Sequence, residues 1–315
     1  MIIFWISVFI ASLFVLVKGS DWLLGSAEKI GLRAGLSPFV VGVVIVGLGT
    51  SFPELVSSLI AVFQGAPEIV VANALGSNIA NILLVVGLAA VIGGRMAISK
   101  NLIDLELPLL AISTVLFLGV VWDGIVTIPE AIILLLGYVI YLLYTIKYKD
   151  DEIQEEDPEH QVVERPRVSA KDILFLILGV VGLVIGAKYL VNSIIKISEI
   201  FNIATGIISI TAVAFGTSLP ELLVSIKAAR SGKTDVALGN IFGSNIFNIL
   251  VVVGIPALFA TLPLDEPTMQ VGVPALAVVT LLFVISGISK RIHIWEGAFY
   301  LLAYILFAGK LFGLL

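Results

Sequence analysis

The chain contains no cysteine. No disulfide, thiolate metal site or thiol-redox chemistry is open to it. Charge is also scarce: 13% of its 315 residues are charged, where a soluble domain carries roughly 25%. The two histidines, His160 and His293, fall in loop stretches with no metal-ligand partner beside them. The first charged residue is Lys18. The amino-terminal run thus lacks a basic segment and a small-residue cleavage site, and it reads as a retained span, not as a signal peptide. The remainder is apolar, at 59% of residues with a mean hydropathy of +1.13. The net charge of −5 decides little, because the charges are gathered in loops and at a few interior positions.

A helix that crosses a bilayer needs about 20 predominantly apolar residues. Reading that length against charges and turn residues predicts an all-α integral membrane protein with ten spans: 2–26, 38–63, 69–92, 102–121, 125–146, 171–195, 205–229, 235–260, 269–288 and 293–313. Residues 1–146 form a first five-helix half and 171–315 a second. The linker 147–170 holds Asp150, Asp151, Glu152, Glu155, Glu156, Asp157, Glu159 and Glu164. A calcium-binding EF-hand loop requires a glycine at its sixth position, and the linker has none. A solvated acidic connection is the favoured reading.

Orientation follows from Lys and Arg placement. With both termini outside, the cytoplasmic loops collect 14 of the 18 basic residues, including Lys29, Arg33, Arg95, Lys100, Lys147, Arg167, Arg230 and Arg291. The opposite side carries Glu68, Asp123, Asp265 and Glu266. This predicts a multi-pass protein of the plasma (inner) membrane with the linker cytoplasmic. Asp21, Glu28 and Lys29 are expected to snorkel at the end of span 1, and Glu130 to be interfacial.

The strongest signal is a duplication. Gly49–Glu54 reads GTSFPE and Gly216–Glu221 reads GTSLPE, 167 residues apart. At the same offset, Asn73–Gly87 matches Asn240–Gly254 at 11 of 15 positions. The repeated motifs occupy 47–58 and 73–87 in the first half, 214–225 and 240–254 in the second. Each half holds five spans, an odd number, so the second must enter the membrane from the opposite side. The repeats are then inverted, with a site where they meet at the midplane.

Each copy places a glutamate within a span. An intramembrane charge costs about 2.5–3.5 kcal/mol even on mild scales and marks function by default. Pro53 and Pro220 lack an N–H and clash with the preceding turn, so both helices should break there. Carbonyls freed near Thr50, Ser51, Thr217 and Ser218 are tolerated at that depth only if buried or facing a cavity. With Glu54 and Glu221 they make an all-oxygen site suited to the hard cations Ca²⁺ and Na⁺. The GSNIxN blocks add Ser77 and Asn81, Ser244 and Asn248, each pair four residues apart and so on one helix face. Small and amide residues also serve helix packing. That reading is preferred for Gly76 and Gly243, and ligation for the serines and asparagines. A protonated glutamate pair tying helices together would not need a broken backbone beside each carboxyl.

These paired blocks, over the whole ten-span chain, resemble the two α-repeats of the sodium/calcium exchanger family, prokaryotic branch, within the cation/calcium antiporter superfamily. The resemblance implies exchange of one Ca²⁺ for about three Na⁺ at a central cluster of four sites, with no permanent cofactor. It implies that Glu54 and Glu221 form the acidic pair that binds Ca²⁺ and is shared with Na⁺, joined by Thr50 and Thr217 carbonyls. Gly47 and Ala214 would give backbone carbonyls to outer Na⁺ sites, and Ser51, Ser77, Ser218 and Ser244 hydroxyl ligands. Spans 1 and 6 would slide as a gating bundle over the other eight. Several relatives, including the potassium-dependent ones, have aspartate where this chain has Asn248. The core here then holds two carboxylates, which argues against potassium dependence. Expected partners are the two ions and lipid, with no nucleic acid, in a protein that works as a monomer. Ca²⁺/H⁺ exchange on the same glutamates is the alternative. A channel would not need inverted halves, and an intramembrane enzyme lacks a zinc constellation or a base other than the glutamates.

Overall fold

A computed structural model describes residues 2–34, 49–94, 96–98, 102–156, 167–232 and 234–314. Eleven helices are used below: α1 (Ile2–Arg33), α2 (Phe52–Phe63), α3 (Glu68–Gly93), α4 (Leu102–Val120), α5 (Ile128–Glu156), α6 (Ala170–Phe201), α7 (Thr205–Thr217), α8 (Leu219–Arg230), α9 (Thr234–Ala257), α10 (Thr268–Ile288) and α11 (Ile294–Leu311). Among the described residues, eight helices are long and apolar enough to span a bilayer, and the bent pair α7–α8 makes a ninth. The expected span 38–63 is described only from Gly49 onward.

Three expected boundaries are corrected. The linker does not begin at 147: α5 runs on to Glu156. Its last residues are charged, without glycine or proline, and good helix formers need no bilayer to stay helical. Span 5 starts at Ile128, because Ile125 and Val126 form a short strand instead. Helices α1 and α6 each have 32 residues, about 48 Å of helix, and so outrun a ~30 Å hydrocarbon core.

Burial separates a centre from a rim. In the most apolar stretches of α3 and α9, 78% of residues are buried, against 17% in α1 and 28% in α6. The outward faces of the rim helices carry Ile3, Phe14, Ile140, Phe299 and Ile305, as a lipid-facing surface requires. Helices α1 and α6 pack on each other through glycines. A Cβ on Gly19 would stand 2.7 Å from the Leu183 nitrogen, and one on Gly179 2.6 Å from the Leu23 nitrogen. Small residues let backbones meet where no hydrophobic effect drives helix pairing. At one end of this pair Lys29 Nζ meets Asp172 Oδ1 at 2.8 Å, a partner for Lys29 that the snorkelling expectation did not foresee. Asp21 pairs with Lys18 at 3.0 Å.

Two small ribbons order the two ends. Strand β1 (Met96–Ala97), before α4, pairs antiparallel with β4 (Arg291–Ile292), after α10. Strand β2 (Ile125–Val126), after α4, pairs with β3 (Leu262–Pro263), before α10. Helix α4 thus begins where α10 ends, so the two run in opposite directions. Helices α3 and α9 do likewise. Strand β3, following α9, packs on the amino-terminal half of α3, and β1, following α3, packs on that of α9.

Candidate cation site

Both glutamates sit in the first turn of a helix, one following a 3₁₀ turn and the other a bend. A 3₁₀ turn, Gly49–Ser51, leads into α2, with Pro53 in its first turn. Helices α7 and α8 meet at Ser218 with a bend of 44°, and Pro220 occupies the first turn of α8. Proline is accepted there because first-turn N–H groups have no intrahelical partner. Glu54 and Glu221 therefore lie at helix amino-termini, where the backbone dipole favours negative charge. The last turn of α7, Ala214–Thr217, is a carboxyl terminus, where the dipole favours cations.

Each glutamate is fully buried, and each accepts hydrogen bonds from both halves of the chain. Glu54 Oε1 accepts from Ser77 Oγ at 3.5 Å and from Ser218 Oγ at 3.4 Å. Glu221 Oε1 accepts from Ser244 Oγ at 3.2 Å and from Ser51 Oγ at 3.1 Å. The pattern is reciprocal: every glutamate is held by the serine of its own GSNIxN block and by the serine beside the opposite glutamate. The second oxygens, Glu54 Oε2 and Glu221 Oε2, have no hydrogen-bond donor, nor do Asn81 Oδ1 and Asn248 Oδ1. A buried polar atom left unpaired costs about 1–3 kcal/mol. Four acceptor oxygens in that condition, two of them on carboxylates, suit a cation.

Helices α3 and α9 cross through asparagines. Asn78 Nδ2 donates to the Asn245 carbonyl and Asn81 Nδ2 to Asn245 Oδ1, both at 3.0 Å. Asn81 and Asn248 lie in π-helical turns, Ala80–Val86 and Asn248–Val252. Such turns insert an extra residue into a helix and recur at functional sites. Others stand at Leu102–Glu106 and Thr268–Gly272, again about 167 residues apart. Gly76 permits the close contact expected of it, since a Cβ there would lie 2.2 Å from the Ile210 carbonyl oxygen.

The sequence expectations map onto this geometry unevenly. Glu54, Glu221, Ser51, Ser218, Ser77 and Ser244 converge through the hydrogen bonds above. Thr50 Oγ1 joins them at 3.3 Å from Ser244 Oγ, whereas Thr217 Oγ1 donates back to the Val213 and Ala214 carbonyls at 3.1 and 3.4 Å. The Ala214 carbonyl also accepts from the Ser218 nitrogen at 3.0 Å. Gly47 lies outside the described residues. Glu130 caps α5, accepting from Thr127 nitrogen and Oγ1 at 2.8 and 2.7 Å. Sequence reading passed over Glu106, a buried carboxylate in α4 that accepts from the Tyr141 hydroxyl at 3.3 Å; its place among apolar neighbours was the available signal. Among the described residues no group of three acidic, histidine or cysteine side chains is gathered.

The model of the family described as sodium/calcium exchanger protein matches residues 4–147 and 171–312. An uncharacterized membrane protein of Methanocaldococcus jannaschii is 36% identical over 307 residues, covering 97% of each chain. Sodium/calcium exchanger MaX1 of Methanosarcina acetivorans is 34% identical, again over 97% of each. Among solved structures, the sodium–calcium exchanger NCX_Mj soaked with 2.5 mM Na⁺ and 10 mM Sr²⁺ superposes with a TM-score of 0.67 at 33% identity, over 97% of this chain and 98% of that one.

Proposed function

This chain belongs to the sodium/calcium exchanger family, and we propose that it is a secondary-active antiporter that exports Ca²⁺ in exchange for Na⁺ by alternating access. The family exchanges cations across a membrane, and the helices described here are those of a multi-pass membrane protein. The observation that carries the proposal is the reciprocal clamp on the two glutamates, with a donor-free carboxylate oxygen on each. A Ca²⁺ ion bound between Glu54 and Glu221 has its charge balanced outright. Asn81, Asn248, Ser51, Ser218, Ser77, Ser244 and the carbonyls at Thr50 and Thr217 complete its shell. Two Na⁺ replace it at equal charge. The third Na⁺ of the family stoichiometry then rests on neutral oxygens, for which the Gly47 and Ala214 carbonyls are assigned.

The architecture assigned to this chemistry is ten helices in two inverted repeats, 1–146 and 171–315, joined by the acidic segment. The opposed directions of α4 and α10, and of α3 and α9, support that inversion. Both termini lie outside the plasma membrane and the linker inside, with β1–β4 on the cytoplasmic face and β2–β3 on the outer one. The protein works as a monomer without a resident cofactor, and α1 and α6, bound through their glycines, move together over the rest.

The test is ⁴⁵Ca²⁺ uptake into vesicles with Na⁺ and pH gradients imposed separately. Uptake driven by Na⁺ alone supports the proposal. Uptake driven by a pH gradient without Na⁺ replaces it with Ca²⁺/H⁺ exchange on the same carboxylates.

A further inference from the structure

The reciprocal clamp is nearly two-fold symmetric, whereas the asparagine bonds around it are one-sided. Asn73, Ser77 and Asn81 lie four residues apart along α3, and Asn240, Ser244 and Asn248 do so along α9, so each trio shares a helix face. The last two members of each trio belong to the site already described. The first members do not. Asn240 Oδ1 accepts a hydrogen bond from Thr50 Oγ1 at 3.3 Å. The equivalent bond in the other half would join Thr217 to Asn73, since both pairs are offset by 167 residues. It is not made. Asn73 is fully buried, and neither its Oδ1 nor its Nδ2 has a partner, while the Thr217 hydroxyl donates back to Val213. The segments that carry them are nonetheless in contact: Ala214–Thr217 packs against the Glu68–Ile79 part of α3, and a Cβ on Gly76 would lie 2.7 Å from the Ala214 Cβ.

A fully buried amide with both atoms unpaired is costly, and a second arrangement that pairs it would offset that cost. Asn73 and Asn240 also lie on opposite sides of the α3–α9 crossing, because those helices run in opposite directions. The geometry points to Asn73 and Asn240 as a further pair of positioning residues for exchange, each the acceptor for a latch closing one side of the site. Thr50–Asn240 holds the β1–β4 side shut in the arrangement seen here. In the opposite state Thr217 leaves the Val213 carbonyl for Asn73, the β2–β3 side is held shut, and Thr50 releases Asn240. In inverted repeats the two access states exchange the roles of the halves, so one bond made and its counterpart unmade is the asymmetry such a switch needs. The inference rests on the alternating-access reading above.

The absence of cysteine permits a direct test. Ser209, on α7 two turns before Thr217, is closed to solvent in the arrangement seen here and becomes reachable only when the β2–β3 side opens further, so a cysteine in its place reports that opening. Its labelling by a membrane-impermeant maleimide is followed in vesicles of known orientation. Asn240→Ala removes the latch that favours opening toward Ser209, and labelling should slow about threefold to tenfold, the population shift that one net hydrogen bond supplies. Asn73→Ala weakens only the opposite state, so labelling should hold or quicken. Asn240→Asp keeps the acceptor oxygen and should restore the rate. Thr50→Val should act like Asn240→Ala, and the double substitution should add nothing; it also replaces Asn240→Ala if that variant does not fold. Slowing by both asparagine variants, or by neither, overturns the inference. The labelling needs no Na⁺-driven flux. Absence of exchange in the unsubstituted protein therefore defeats the proposed function, and a failed labelling pattern in an active exchanger defeats the latch alone.

Discussion

Ser51 stands beside Glu54 in sequence but donates its hydrogen bond to Glu221, 170 residues away, at 3.1 Å. Ser218, beside Glu221, donates its hydrogen bond to Glu54 at 3.4 Å. The two halves of the chain thus build one site by crossing over, and neither half holds its own glutamate alone.

Removing either charge should abolish transport. Glu54→Gln and Glu221→Gln keep the size and one carbonyl oxygen but leave a single carboxylate for a divalent ion. Na⁺-driven ⁴⁵Ca²⁺ uptake should fall to the level of empty vesicles for both, while each variant stays monodisperse in detergent. Full flux in either would remove the carboxylate pair from the mechanism.

The serines should group by the glutamate they serve, not by position along the chain. Ser51→Ala and Ser244→Ala each take one donor from Glu221 Oε1, and Ser77→Ala and Ser218→Ala each take one from Glu54 Oε1. Each loss is worth about 1 kcal/mol, roughly a fivefold change in Ca²⁺ affinity by calorimetry. Double-mutant cycles should show stronger coupling between Ser51 and Ser244, which share an acceptor, than between Ser51 and Ser77, which serve different glutamates.

Asn248→Asp should change the charge balance. Asn248 is fully buried with both amide atoms unpaired, so a third carboxylate there faces the site without a donor. With three negative charges, Na⁺ binding should tighten relative to Ca²⁺, and the apparent Na⁺ affinity in flux assays should rise several-fold. A lower Na⁺ affinity would place Asn248 outside the ion shell.

Glycine packing gives an internal control. Gly76→Ala drives a methyl group to 2.2 Å from the Ile210 carbonyl, whereas a Cβ on Gly25 meets nothing within 4 Å. Overpacking costs about 1–3 kcal/mol, so Gly76→Ala should lower the thermal midpoint in detergent by several degrees. Gly25→Ala should leave it level or raise it slightly, because alanine favours helix.

If α1 and α6 move as one body, tying them together should be harmless. Trp22 on α1 stacks on Phe175 of α6 with ring centroids 5.8 Å apart. Cysteines at both positions, joined by a short bismaleimide, should leave ⁴⁵Ca²⁺ exchange within about twofold, the loss expected of a contact worth under 0.5 kcal/mol. Arrest on cross-linking, reversed with a cleavable linker, would show that the two helices slide against each other.

Much of this protein is legible along the chain alone. Apolar run length sets the spans, because the bilayer tests each segment for hydrophobicity independently. The duplication supplies both glutamates and their serine and asparagine companions, and the prolines mark the 3₁₀ turn before α2 and the bend before α8. Those are local properties, decided by residues within a turn or two. Where a span ended in charged helix formers, as in α5 beyond 146, local reasoning stopped too early, because water supports that helix as well as lipid does. The choice of partner was beyond it. Nothing in GTSFPE tells whether Ser51 serves Glu54 or Glu221, whether Thr50 or Thr217 finds an asparagine, or that Glu106 meets Tyr141. Those bonds join residues 35 to 194 positions apart, and they exist only once the helices that carry them have packed together. Composition and repeats determined which groups enter the membrane; tertiary packing alone decided which of them touch, because a hydrogen bond depends on a few tenths of an ångström that no spacing along one helix records.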